Sequence, residues 1–447
     1  MERLKLAEIE TWYKNKNKEP LVVWGARQVG KTYLIKELFA EKYYKNNYIY
    51  VDLKKNEDIR KELDRSSDPK KYISYLEVRF NKKIDNNTLI IFDEVQESSN
   101  VFSSLKYFKQ DYREIPVIMT GSMVRLAIKQ FSKKKNSNFL FPVGCFTSIT
   151  VYPLSFEEFL LNTNKTLLEK IKDDYNNSRA SEDYIFNMGF EYLYKYLSIG
   201  GMPEVVDTYI RSESLLEANK KIESIYSNYL GDMSEFNVSN DMILKTMNIY
   251  KNIYSQLNKE NKNFKISLVE KGRSNRDYFN AYQWLELANI IYRSNKKSDK
   301  VSYPLIEDSN GLFRYYLSDV GLFAYQSKVN VTSFIENNIQ NTLSGIFFEN
   351  YVADEFVSND IPLFYWTGKN DNEFEFIVGS NGHIIPVDVK KGKKKINSID
   401  NFRNHNKKHT VIKIAKNNYG YDDINQILTI PLYEVFMLAK DIKGNKL

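Results

Sequence analysis

The sequence predicts an α/β protein built on a parallel sheet, and three observations predict it. An apolar strand, Leu21-Val22-Val23-Trp24, runs into the glycine loop Gly25-Ala26-Arg27-Gln28-Val29-Gly30-Lys31-Thr32, after which Leu34, Ile35 and Leu38 have helical spacing. A second apolar strand, Leu89 to Phe92, ends in the acidic pair Asp93-Glu94. Further strands at Tyr50-Val51-Asp52-Leu53 and Ile115 to Met119 alternate with helical stretches. Such alternation favours parallel strands joined by crossover helices.

The bulk numbers narrow the class. The 447 residues suggest roughly two to four domains. Hydrophobic residues make up 42%, enough for ordinary cores. No apolar run approaches the ~18 residues that span a bilayer, and the charged start MERLKLAEIETWYKNKNKEP lacks a signal-like apolar core. A single cysteine, Cys145, excludes an intramolecular disulfide. These features predict a cytoplasmic protein with no membrane partner. The net charge of +7 is compatible with nucleic acid. It fits equally a chain rich in Lys, Asn, Ile and Tyr through coding bias.

The glycine loop fits G-x-x-x-x-G-K-[ST], the phosphate-binding P-loop, in its expected strand–loop–helix setting. Gly25 and Gly30 let the backbone curl so that N–H groups point at phosphate oxygens, and the helix start adds positive dipole. Lys31 is expected to reach the β- and γ-phosphates of ATP, and the Thr32 hydroxyl to ligate Mg²⁺. Asp93 is expected in the Mg²⁺ shell and Glu94 as general base for the attacking water. The next strand ends in Thr120-Gly121-Ser122. Thr120 or Ser122 could contact the γ-phosphate or the water; the alternative is a plain strand-to-helix turn with Ser122 as N-cap.

These stretches resemble a widespread archaeal and bacterial group of AAA-type ATPases with a C-terminal domain of uncharacterised function. The matching segments are GARQVGKT, LIIFDEVQ, VIMTGSM, VYPLSFEEFL (151–160), IGGMPEVV (199–206), YYLSDVGL (315–322), GIFFENYVADEF (345–356) and IIPVDVKKGK (384–393). They cover nearly the whole chain. The resemblance implies an AAA-type core at 1–161 and a helical lid at 162–240, where Tyr192, Tyr196 and Ile199 precede the Gly200-Gly201 break. Members commonly carry Gly-Arg before the PLSF-type motif. Here the segment reads Val143-Gly144-Cys145. That site therefore offers no arginine finger, and Arg113 and Arg125 are the candidates.

From 241 to 330 the pattern predicts a winged helix. Helices are expected at Ile243 to Leu257, Ser267 to Lys271 and Arg276 to Leu287, then strands at Ile290-Ile291-Tyr292 and Phe313 to Leu317. Arg276, Asn280 and Gln283 would face DNA, with Lys296, Lys297 and Lys300 in the wing. The alternative is a module that only packs within the chain.

From 331 to 447 the order is an apolar helix with Glu349, the strands Phe364-Tyr365-Trp366 and Glu373 to Val378, then Ile384 to Lys390. Asp388-x-Lys390 places acid and ammonium on one strand face. The arrangement resembles the restriction-endonuclease-like fold, with Glu375 and Asp388 as Mg²⁺ ligands, Lys390 stabilising the nucleophile and Glu349 in support. Glu375 stands where Asp is usual, and Asp388 where Glu is usual. Each exchange moves a carboxylate by about 1.5 Å, large against a ~2.1 Å Mg²⁺–oxygen distance. Both an active and an inactive nuclease-like site remain open. The run Lys390-Lys391-Gly392-Lys393-Lys394-Lys395 is either a solvated face or a grip on phosphates. His405 and His409 could share a helix face, while His383 beside Gly382 reads as a turn residue.

Two function classes follow. One is an ATP-driven enzyme acting on DNA. The other is a nucleotide switch that assembles protein partners, with an inactive end domain as scaffold. A homo-oligomer is compatible with both.

Overall fold

Five parallel strands make the first sheet: β1 (Leu21–Trp24), β2 (Tyr48–Asp52), β3 (Leu89–Asp93), β4 (Val117–Thr120) and β5 (Thr147–Thr150), in the order β2-β3-β4-β1-β5. The computed structural model describes residues 1–131, 141–235, 239–298, 300–307, 311–329, 333, 341–368, 372–390, 398–406 and 409–447. It divides into two compact units. One is Arg3–Tyr152 with Leu287–Asn289, and the other holds Met1–Glu2, Pro153–Glu286 and Ile290–Leu447.

In the first unit β1, β3 and β4 are buried along their whole length. They read as unbroken apolar runs because both sheet faces are covered. Val22, Trp24, Ile90, Phe92, Val117 and Met119 share one core with Val51, Leu76, Phe102 and Leu105. β4 lies between β1 and β3, with Val23 opposite Thr120 and Phe92 opposite Met119. The strand ends that carry the glycine loop and the acidic pair therefore flank Thr120. The fifth strand has no apolar signature. Its Thr147 and Ser148 are exposed, as an edge strand allows.

The helix after the glycine loop departs from expectation. Tyr33–Ala40 is wound as a π-helix, and Glu41 N–H reaches Lys36 O. The wider turn brings residues five apart into line. Leu34, Ile35, Phe39 and Ala40 are buried, while Leu38 is only half-buried.

The second unit begins with helices. Phe156–Thr163 starts with a capping box between Ser155 and Glu158, and four more helices run to Glu235: Lys165–Asn176, Asp183–Ile199, Pro203–Ser212 and Leu215–Glu235. The expected boundary at 161/162 falls inside the first of these. Gly201 is required where it stands, since a Cβ there would sit 1.9 Å from Leu154 O.

Next come helix Asn240–Leu257, a short turn of 3₁₀ helix at Ile266–Leu268, helix Asn275–Leu287, and the antiparallel strands β6 (Ile291–Ser298) and β7 (Phe313–Leu317). β6 is not a free hairpin strand. Its other edge pairs in parallel with β8 (Phe364–Thr367), which pairs with β9 (Glu373–Phe374). One four-stranded sheet, β7-β6-β8-β9, thus bridges the boundary expected at 330/331.

A second five-stranded sheet follows: β10 (Phe376–Ser380), β11 (His383–Lys390), β12 (Val411–Ala415), β13 (Gly420–Asp422) and β14 (Ile427–Pro431), in the order β10-β11-β12-β14-β13. Helix Asn341–Ser358 precedes β8, and helix Ser398–His405 makes the crossover between the parallel strands β11 and β12. That helix ends at His405. The His409 ring lies against His383 instead, at 4.7 Å between centroids, so the expected His405–His409 face does not form.

Candidate nucleotide site and the C-terminal carboxylate cluster

The glycine loop closes on itself. Gly25 takes φ +143°, and a Cβ there would lie 2.3 Å from Val151 O. Gln28 and Gly30 also have positive φ, which turns successive peptides of the loop. Ala26 and Val29 are buried beneath it, and Arg27 and Gln28 are half-buried. Lys31 is buried, and its Nζ donates to Gly25 O at 3.1 Å and Ala26 O at 2.6 Å. Burial pulls its pKa down to about 8, against the opposing pull of Glu94 and Asp93.

Asp93 anchors the opposite side. Its Oδ2 accepts from Thr32 Oγ1 at 2.7 Å and from the Tyr50 hydroxyl at 2.8 Å, and its Oδ1 accepts from Glu94 N–H at 2.8 Å. A hydroxyl and a carboxylate side by side form the hard oxygen donor set that Mg²⁺ prefers. Glu94 adopts a left-handed backbone, φ 51°, at the strand end. Its carboxylate accepts from Gln96 Nε2. Burial raises the Glu94 pKa above the usual carboxylate value; the Gln96 hydrogen bond lowers it, and Asp93 raises it further.

Tyr50 and Gln96 are the residues that sequence reasoning missed. Both stood inside quoted segments, but one looked like a strand residue and the other like part of a helix start. Thr120 donates to Val23 O at 3.1 Å, which ties its hydroxyl to the sheet. The Ser122 Oγ is buried and finds no hydrogen-bond partner. Arg113 donates to Asn17 O at 2.9 Å. Arg125 donates to Thr150 Oγ1 at 3.3 Å and lies over the Trp24 ring. Both arginines therefore make contacts within their own unit.

The C-terminal acids do come together. Glu375, at the bend between β9 and β10, accepts from Val389 N–H at 3.0 Å and from Lys390 Nζ at 3.3 Å. The same Nζ lies 3.0 Å from Asp388 Oδ1. Strand alternation thus puts Asp388 and Lys390 on one face, as expected. The ammonium sits between the two expected metal ligands. Among the described residues, no group of three or more His, Cys, Asp or Glu side chains is placed to hold a metal ion. Burial and then Glu375 push the Asp388 pKa up to about 7, partly offset by Lys390. Glu349 is buried and pairs with Lys262 from the loop after helix Asn240–Leu257.

On the expected DNA face, Arg276 and Asn280 are exposed and Gln283 is half-buried. The wing lysines differ from expectation. Lys296 and Lys297 lie on an inner strand, and Lys297 sits over the Phe364 ring at 5.7 Å. Lys300 is exposed. Lys391, Gly392, Lys393, Lys394 and Lys395 lie outside the described residues. No described helix is long and apolar enough to cross a membrane.

Comparison with known proteins agrees with the first sheet. Residues 17–160 match the family described as an AAA domain, and this segment has an α/β fold with a parallel central sheet. Residues 190–333 and 344–433 match two families each described as a domain of unknown function (DUF8612 and DUF4143). No curated protein matches the chain. Among solved structures, the chain is similar to the Walker-type ATPase PABY2304 of Pyrococcus abyssi, at 15% identity and a TM-score of 0.44, over 72% of this chain and 94% of that one.

Proposed function

We propose that the protein binds ATP with Mg²⁺ at Gly25–Thr32, hydrolyses it with Glu94 as general base, and couples turnover to binding or processing DNA. The observation that carries the reading is the joining of Thr32 to Asp93 at 2.7 Å, with Glu94 next in sequence and Lys31 buried in the loop. Bound Mg²⁺ would be held by Thr32 and Asp93 and would neutralise phosphate charge. Lys31 and the loop N–H groups hold the β- and γ-phosphates. Glu94 takes the proton of the attacking water as its oxygen bonds to the γ-phosphorus and the bond to ADP's bridging oxygen breaks. Its raised pKa suits that work, because a stronger base takes the proton more readily. Gln96 orients the carboxylate, and Tyr50 fixes Asp93. Ser122, at the end of the strand between the two motifs, is the better placed of the two sensor candidates because its hydroxyl is uncommitted.

The exposed Arg276–Asn280 face supports DNA contact, and the half-buried Lys296 and Lys297 support it less. ATP turnover measured with and without duplex and single-stranded DNA tests the coupling. Stimulation by DNA is expected. Turnover indifferent to both forms favours the second reading, an ATP-dependent switch or scaffold for protein partners with an inactive nuclease-like domain. One observation favours that second reading: Lys390 is bound up between Glu375 and Asp388. A plasmid-nicking assay with Mg²⁺ and Mn²⁺ tests cleavage itself, and none is expected.

A further inference from the structure

Four buried or half-buried carboxylates, Glu349, Glu373, Glu375 and Asp388, gather where helix Asn341–Ser358 meets β9, β10 and β11. A nuclease-like arrangement would balance such a cluster with divalent metal. This chain supplies cations of its own, and two of them come from far upstream. Lys262 Nζ pairs with Glu349 and lies 3.4 Å from Glu373. Arg314, buried on β7, pairs with Glu373 at 2.5 Å and covers the Tyr365 ring. Lys390 holds Glu375 and Asp388.

Lys262 is not a casual contact. Gln256 clamps its loop by accepting from Lys265 N–H at 2.7 Å and donating to Lys265 O at 3.2 Å. Phe264 N–H donates to Phe313 O at 2.8 Å. The neighbouring Asn263 accepts from the Tyr365 hydroxyl. The loop therefore delivers the ammonium to a fixed place. Even so, Glu349 Oε2 and Asp388 Oδ2 are buried with no hydrogen-bond partner, while Asp388 Oδ1 meets the Lys390 ammonium at 3.0 Å. Unpartnered oxygens on side chains this deeply buried are costly.

We infer that Glu349, Glu375 and Asp388 form a pseudo-metal centre in which the Lys262 ammonium at Glu349 and the Lys390 ammonium between Glu375 and Asp388 together take the place of a divalent ion, so that the wild-type cluster binds no metal. The inference goes beyond ATP turnover and does not depend on it. It also explains why three of the nuclease-like residues can be present without a metal geometry. Burial works against the Lys262 charge, but Glu349, Glu373 and Glu375 outweigh it and hold the ammonium protonated.

The test is Mn²⁺ titration of the full chain, nucleotide-free, followed by electron paramagnetic resonance. Asp93→Asn is present in every arm to silence the other acidic site. Without further change, no tight Mn²⁺ site is expected. Adding Lys262→Met should create a single tight site, lost again when Asp388→Asn is added. A tight site already present with Lys262 in place, and abolished by Asp388→Asn, would overturn the inference. So would a folded Lys262→Met chain that gains none. If Lys262→Met does not fold, the arm that keeps Lys262 decides the matter alone: Mn²⁺ binding that depends on Asp388 refutes the inference, and its absence upholds it.

Discussion

Two acidic sites at strand ends treat their carboxylates in opposite ways. At β3, Asp93 is held by neutral donors: the Thr32 and Tyr50 hydroxyls and a backbone N–H. Its nearby cation, Lys31, hydrogen-bonds to backbone carbonyls. At the C-terminal cluster every acid meets an ammonium or guanidinium directly. A carboxylate steadied by hydroxyls is poised for a ligand, whereas one already paired with a cation has its counter-ion. Motif spelling alone does not separate these cases, since both sites offer acids at a strand end and a lysine.

The largest effect should come from Glu94→Gln. Loss of the base should lower kcat by about 10²–10⁴-fold while ATP affinity stays at the wild-type level, read by steady-state rates and calorimetry. If turnover persists, the β3 site is not the catalytic one and the contrast fails. Lys262→Met probes the other side. It leaves Glu349 buried without its partner, at about 3–5 kcal/mol of stability, and Glu349→Gln in the same chain should recover much of that loss. Denaturant unfolding of the three variants measures it. Next in size is Lys31→Ala. Charge-assisted hydrogen bonds contribute roughly 1.5–3 kcal/mol, so ATP should bind on the order of ten- to a hundred-fold more weakly by calorimetry.

Two smaller effects depend on pH. Glu94 must be ionised to act, and its pKa is raised by burial, so kcat should fall on acidification at a pH above the usual carboxylate range. Gln96 opposes that rise, and Gln96→Leu should move the acid limb further up. The sign is opposite for stability at Asp388. Its folded pKa of about 7 exceeds the unfolded value of about 3.9. The folded state holds the extra proton between those values, so stability should decline as pH climbs from about 4 to 7 and then level off. Lys390 and, on β12, Lys413 face the same carboxyl. Thermal melts of wild type against Asp388→Asn should show the variant with the flatter profile.

The β3 site was largely legible because its parts are local. Eight consecutive residues make the loop, six make the strand and its acids, and only Tyr50 and Gln96 escaped notice. The shift from Leu38 to Phe39 did not show, since an apolar spacing assumes an α-helix and nothing in Tyr33–Ala40 marks a wider winding. The C-terminal acids were legible as a pattern, but their neutralisation was not. Lys262 and Arg314 carry no local signature and meet Glu349 and Glu373 only through tertiary folding. The wing was misjudged for a similar reason. Alternation along β6 reports which faces are covered, not how many neighbours its edges have.

That doubly paired strand has a consequence for the order of synthesis. β6 finds β7 soon after both leave the ribosome, but Asn295 to Ser298 must wait for Phe364 to Thr367 before the second edge closes. Until then its N–H and C=O groups form an open template for another chain. A polypeptide stopped at residue 330 would carry that bare edge permanently. Its tendency to pair with copies of itself should exceed that of the full-length product.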